Sequence, residues 1–221
     1  MFRANHADDN GGAIAAAVSA PRFLDCRFES NDATHGAAIT FVAAALGGDV
    51  PHLSGCVFWR NEALADAGAV YAYVSEPLLV RCTFDDNRAG QQGAAVFWYS
   101  TAPPLVDRCV FAHGRGGEAM FSGVPGTAPT LQCCDVFGNQ AGDWVGCLSG
   151  QDATAGNLAA DPAFCDASNG DFGLREGSPC APSVGTCGGI GAVGVACTAT
   201  PAAALEFVGW GRLKARYRSG R

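Results

Sequence analysis

Short runs in which apolar and polar residues alternate recur along most of the chain at nearly constant spacing. Cys26-x-Phe28-x-x-Asn31 is followed by Cys56-x-Phe58-x-x-Asn61, Cys82-x-Phe84-x-x-Asn87, Cys109-x-Phe111-x-x-Gly114 and Cys134-x-Val136-x-x-Asn139. The chain opens inside the same unit, with Phe2-x-x-Asn5. Ala7, Ala33, Ala63, Ala89 and Ala141 each stand two positions after an Asn. Further on comes a string of small residues ending in Ile or Val: Gly12-Ala13-Ile14, Ala37-Ala38-Ile39, Gly68-Ala69-Val70 and Ala94-Ala95-Val96. Pro21, Pro51, Pro77, Pro104 and Pro129 each precede the next cysteine by five residues. Length varies only in the loop before the proline, as expected when one element must stay in register and another need not.

Alternation over a few residues, with Gly and Asn at the corners, predicts short strands rather than two amphipathic helices per repeat. A unit of this length makes one turn of a right-handed, single-stranded parallel β-helix. Residues 1–145 are expected to form about five coils, each roughly 4.8 Å above the last, so that like residues stack into columns. Asn31, Asn61, Asn87 and Asn139 form a corner column. There an Asn is expected to take the left-handed backbone and to bond its amide to the next coil. Gly114 interrupts that column.

Cys and Phe two positions apart face inward. Cys26, Cys56, Cys82, Cys109 and Cys134 are therefore expected to be buried thiols, too far apart between coils for unstrained disulfides. With Ile14, Ile39, Val70 and Val96 also inward, Ala16, Phe41, Ala72 and Trp98 follow them, alternating in size as close packing favours.

The paired FxxN and GGA[ILV] motifs resemble the repeats of the chlamydial polymorphic outer-membrane proteins. That resemblance covers residues 2–141 and implies a surface-exposed parallel β-helix acting in adhesion. A second segment, Asp161-Pro162-Ala163-Phe164, Asp171-Phe172-Gly173-Leu174 and Gly177-Ser178-Pro179, is similar to the DPxF…GSP ending of many secreted β-helix proteins. Residues 146–197 are expected to form an irregular, Cys-rich segment covering the open edge of the last coil. Cys165, Cys180, Cys187 and Cys197 are its disulfide candidates, with Cys165–Cys180 and Cys187–Cys197 as the expected pairs.

Composition changes the picture in two places. Formal net charge is −7, but residues 205–221 carry Arg212, Lys214, Arg216, Arg218 and Arg221 against Glu206. That tail, joined by a linker from residue 198, is +4 and leaves −11 on the rest, which argues against nucleic acid as a partner. The basic tail is a candidate for surface attachment. No stretch is long and apolar enough for a transmembrane helix. Disulfides in the closing segment imply an oxidising compartment, hence an extracellular or cell-surface location. Met1 falls inside a repeat, so the signal peptide is expected to have been lost with a missing N-terminal portion.

Candidate chemistry is sparse. A polysaccharide lyase or hydrolase of the pectin-lyase-like class, acting on an acidic glycan, needs clustered carboxylates and a proton-abstracting base. Arg81, Arg108, Asp85 and Asp86 are the nearest approach to such a site, and they also read as a solvated polar face. His6, His35, His52 and His113 fall at four different phases of the repeat and build no zinc site. No cofactor is called for. Trp59 and Trp144 read as isolated corner residues.

The outward positions beside the inner Ile/Val column are more telling. Tyr71, Phe97 and Phe121 line up in one column, and Tyr73 and Tyr99 in another two residues on. Exposed aromatics at sheet spacing make platforms for sugar rings or a protein partner. The expected role is a non-catalytic module for adhesion or glycan interaction, with a polysaccharide or a surface protein as partner.

Overall fold

The computed structural model describes residues 1–43 and 49–198, so the basic tail lies outside the described residues. The chain winds into a parallel β-solenoid. The first sheet stacks Phe2–Arg3, Arg27–Glu29, Val57–Trp59, Thr83–Asp85, Val110–Ala112 and Asp135–Phe137. The second stacks Ile14–Ala17, Ile39–Val42, Val70–Tyr73, Val96–Tyr99 and Met120–Ser122. Arg22–Leu24, His52–Ser54, Leu78–Val80, Leu105–Asp107 and Thr130–Gln132 make the third. A narrow fourth sheet pairs Asp32–Ala33, Glu62–Ala63 and Arg88–Ala89 along one corner.

The stack runs to about seven turns rather than five. Counting by cysteines misses both ends. Phe2 pairs in register with Phe28 although no cysteine precedes it, and Leu158 forms a parallel bridge to Asp135 beyond the last one.

Like residues stack as the period requires. Phe2, Phe28, Phe58, Phe84 and Phe111 form a column of near-parallel rings 4.6–4.9 Å apart. Phe28, Phe58, Phe84 and Phe111 are fully buried, each worth about 1.5–3 kcal/mol in apolar burial. Leu53, Leu79, Val106 and Leu131 fill the third sheet's inner face. Phe41, Ala72 and Trp98 alternate in size on the second and are wholly buried. At the first rung Phe2, Ile14, Ala16 and Phe23 are only partly covered.

One expectation about the backbone needs correcting. The left-handed residue is not the Asn but the one before it: Ser30 (φ 53°), Arg60 (53°), Asp86 (52°) and His113 (53°). A second left-handed corner precedes the cysteines at Asp25, Arg81, Arg108 and Cys133. The Asn amide does its bonding from the position after the turn, where its side chain points inward.

The closing segment also lies elsewhere than expected. Residues 143–157 cover the last coil: Leu148 is fully buried in the main core, with Trp144 and Cys147 packed beside it. The residues after Leu158, up to 197, instead fold back as a flap over the outer face of the first sheet. Phe164, Phe172, Leu174, Cys180 and Ile190 pack there on Val57, Trp59, Val110 and Ala112, forming a second core. The reason is apolar area: outward residues of the first sheet are too hydrophobic to face water, so a sheet layer covers them. Trp59 is thus 7% exposed under the flap and not a free corner residue.

The flap carries its own small sheet, with Asp171–Arg175 antiparallel to Phe164–Asp166 and parallel to Val195–Cys197. Cys165 bonds Cys197 across it, and Cys187 bonds Cys133 at the solenoid corner, with Cα atoms 6.1 and 5.6 Å apart. Both expected pairings are therefore wrong. Cys180 is withdrawn from bonding because it is buried against the first sheet, donating its thiol to Asp135 Oδ2 at 3.3 Å.

Candidate functional site

The second sheet's outer face holds the five predicted aromatics. Strand register places Tyr71 beside Phe97 and Tyr73 beside Tyr99, then Phe97 beside Phe121. The alternation that buries Val70, Ala72, Val96 and Trp98 sends these side chains outward. Tyr71 and Phe97 stack with centroids 5.2 Å apart and planes 6° from parallel. Phe97 and Phe121 are 5.6 Å apart, and Tyr73 and Tyr99 5.5 Å.

The column is not uniformly open. Phe97, clamped between Tyr71 and Phe121, is 7% exposed, whereas Tyr73 and Tyr99 are 43% and 46% exposed. Tyr73 and Tyr99 are thus the most exposed of the five rings, with Tyr71 and Phe121 partly exposed on either side of the buried Phe97. Gly123 closes one side: a Cβ there would lie 2.6 Å from Tyr99 Cδ2 and 2.9 Å from Phe97 Cζ. Beyond it lies a shallow hollow of about 420 Å³ lined by Phe121, Ser122, Val124 and Thr127.

At the other end Tyr71 packs beside His35, ring centroids 5.3 Å apart, and His35 Nδ1 is 3.5 Å from Asp66 Oδ2. Burial, then the nearby Asp66 carboxylate, raise the Tyr71 phenol above its ordinary pKa, so it stays a neutral donor. Sequence reasoning did not find this polar end. His35 and Asp66 lie on consecutive turns, four and five positions after the corner asparagines, and the Gly36 N–H to Asp66 O bond sets these positions side by side.

The four residues considered for a lyase are dispersed in their contacts. Asp85 is buried beneath the flap and accepts from His113 Nδ1 at 2.8 Å. Burial pushes the Asp85 carboxyl up, and its hydrogen bond pushes His113 up. Asp86 is held by Arg60 at 3.1 Å and Arg115 at 2.7 Å. Arg108 lies 3.8 Å from Asp107, and Arg81 borders the glycine-rich stretch 188–194 of the flap. Among the described residues no three His, Cys, Asp or Glu side chains gather as metal ligands.

The asparagine ladder runs unbroken from Asn5 to Asn87. The Oδ1 atoms of Asn31, Asn61 and Asn87 each accept from the backbone and side-chain amides of the preceding Asn. At the gap, Gly114 N donates to Asn139 Oδ1 at 2.9 Å. Cys56, Cys82, Cys109 and Cys134 are buried thiols and Cys26 is partly exposed at the open end. Burial pushes Cys134 up to about 12, so it stays protonated and unreactive.

No family model, curated protein or solved structure matches this chain.

Proposed function

We propose that this protein is a non-catalytic β-helix module that binds a saccharide, on a polymer or a cell surface, through the second sheet's aromatic face. The carrying observation is the side-by-side pair Tyr73 and Tyr99, half-exposed on a rigid sheet that holds both rings nearly parallel. Stacked rings turn their inner faces to each other, so the pair offers a sugar its exposed ring edges, its two hydroxyls and the apolar outer faces at the ends of the stack. A stacked solenoid fixes them without side-chain ordering at the moment of binding, which favours affinity. The two disulfides accord with a location outside the reducing cytoplasm.

The test is to incubate the protein with a panel of neutral and acidic polysaccharides, following bound protein and released reducing or unsaturated ends together. Binding without product is the expected result. Product that disappears on changing Arg81 or Asp86 would replace this reading with a lyase or hydrolase.

A further inference from the structure

A second hollow, independent of the aromatic face, opens between the first turns of the solenoid and the flap. It measures about 540 Å³, and Arg3, Arg27, Arg60, Glu29, Trp59 and Asn169 contribute to its walls. Three guanidinium groups and one carboxylate therefore share a single concavity. Glu29 is 5% exposed and is held between Arg3 (3.1 Å) and Arg27 (2.9 Å). Arg60 leans on Asp86, which Arg115 also engages. The wall is left with excess positive charge.

The arginines are fixed rather than trailing in solvent. Arg27 and Arg60 both lie over the Trp59 ring, 5.0 and 4.4 Å from its centroid. Arg27 Nη1 donates to Gly170 O at 2.8 Å, and Arg60 Nη2 to Ser168 O at 3.4 Å. Gly170, at φ +79°, lets the flap settle on that stack. A Cβ there would sit 2.3 Å from Arg27 Nη2 and 2.8 Å from Trp59 Cζ3. These contacts use Nε of Arg3, Nε and Nη1 of Arg27, and Nε and Nη2 of Arg60. The Nη groups of Arg3, Nη2 of Arg27 and Nη1 of Arg60 make no hydrogen bond among the described residues.

The free donors, both Nη groups of Arg3 and one Nη each of Arg27 and Arg60, the latter two held against Trp59, match the oxygens of a carboxylate or sulfate. From this geometry we infer that the hollow is a site for a single oxyanion group, borne by a saccharide or free in solution. The excess negative charge of the rest of the chain disfavours a densely charged polyanion and selects a sparsely charged ligand.

The experiment follows the arginine Nε–H signals by NMR while sodium sulfate, or separately a uronate-containing trisaccharide, is added at constant ionic strength. Saturating shifts at Arg3, Arg27 and Arg60 are expected. An Arg3→Lys, Arg60→Lys protein keeps the charge but loses those free Nη donors, and should bind about tenfold more weakly with its circular dichroism spectrum retained. Tighter binding of the trisaccharide than of sulfate identifies a saccharide-borne group, and equal binding a free-anion site. Shifts that never saturate, or undiminished affinity in the double lysine protein, overturn the site. The assay uses ligands and residues apart from Tyr73 and Tyr99, so its outcome is separable from that of the aromatic face.

Discussion

Asn61 Oδ1 accepts two hydrogen bonds from Asn31, one turn earlier: 3.1 Å from its backbone N–H and 2.8 Å from its side-chain amide. Asn61 Nδ2 in turn donates to Asn87 Oδ1 at 2.9 Å and to Phe28 O at 3.0 Å. Every polar atom of this wholly buried amide is thereby used, and the corner is tied to the turns on both sides.

Asn61→Ala strips partners from Asn31, Asn87 and the Phe28 carbonyl together. At about 1–3 kcal/mol for each buried group left unpaired, denaturant unfolding should show a loss at or above the upper end of that range. Asn5→Ala, at the exposed end of the same ladder, should cost less. Equal losses at the two positions would contradict the ladder account.

The flap should respond to pH through Asp135. Burial raises its carboxyl from 3.8 to about 6, so the folded state holds a proton that the unfolded chain releases. Stability is then fully present below about pH 4 and is lost as pH climbs through about 6, by about 3 kcal/mol. Asp85, also raised by burial, acts in the same direction. Asp135→Asn should flatten most of that slope and raise stability at pH 7, as read from urea midpoints across the range. An unchanged slope would show that Asp135 is not held neutral.

Cys133–Cys187 ties the flap to the solenoid corner across 54 residues of sequence. Replacing Cys187 by Ala should weaken flap attachment by about 2–5 kcal/mol. In hydrogen exchange, amides of residues 164–175 should lose protection while those of 57–59 and 83–85, paired within the solenoid, largely keep theirs. Uniform loss over both regions would mean that flap and solenoid unfold as one unit.

Much of this architecture is legible in the sequence because a stacked fold repeats its constraints. Phe28, Phe58, Phe84 and Phe111 share one phase, and so do the asparagines, so each copy corroborates the others. The aromatic columns at Tyr71 and Tyr73 follow from the same alternation. Features that occur once are less legible. The left-handed corner falls at Ser30, Arg60, Asp86 and His113, whose side chains have nothing in common, so only backbone geometry reveals it. Cys180 looks like Cys165 in sequence, and only its place on Asp135 takes it out of the disulfides. The flap's course depends on the apolar outer residues Val57, Trp59 and Val110, which alternation alone assigns to solvent. The Arg3–Arg27–Arg60 hollow needs that flap to exist.

Gly123 offers a test of the aromatic face that touches no ring directly. Gly123→Ala places a methyl against Tyr99 and Phe97. Saccharide binding should fall several-fold, while the solenoid's far-UV circular dichroism is retained. Unaltered binding would show that the position of Tyr99 is immaterial to the ligand.

The most direct measurement is calorimetric titration of the best-binding saccharide from the panel into the wild-type and Tyr73→Ala, Tyr99→Ala proteins. Contact with the two rings predicts a loss of about 1–3 kcal/mol for the pair, with the fold retained because both side chains are half-exposed. Equal affinity in the two proteins would contradict the account and move the binding function off the second sheet.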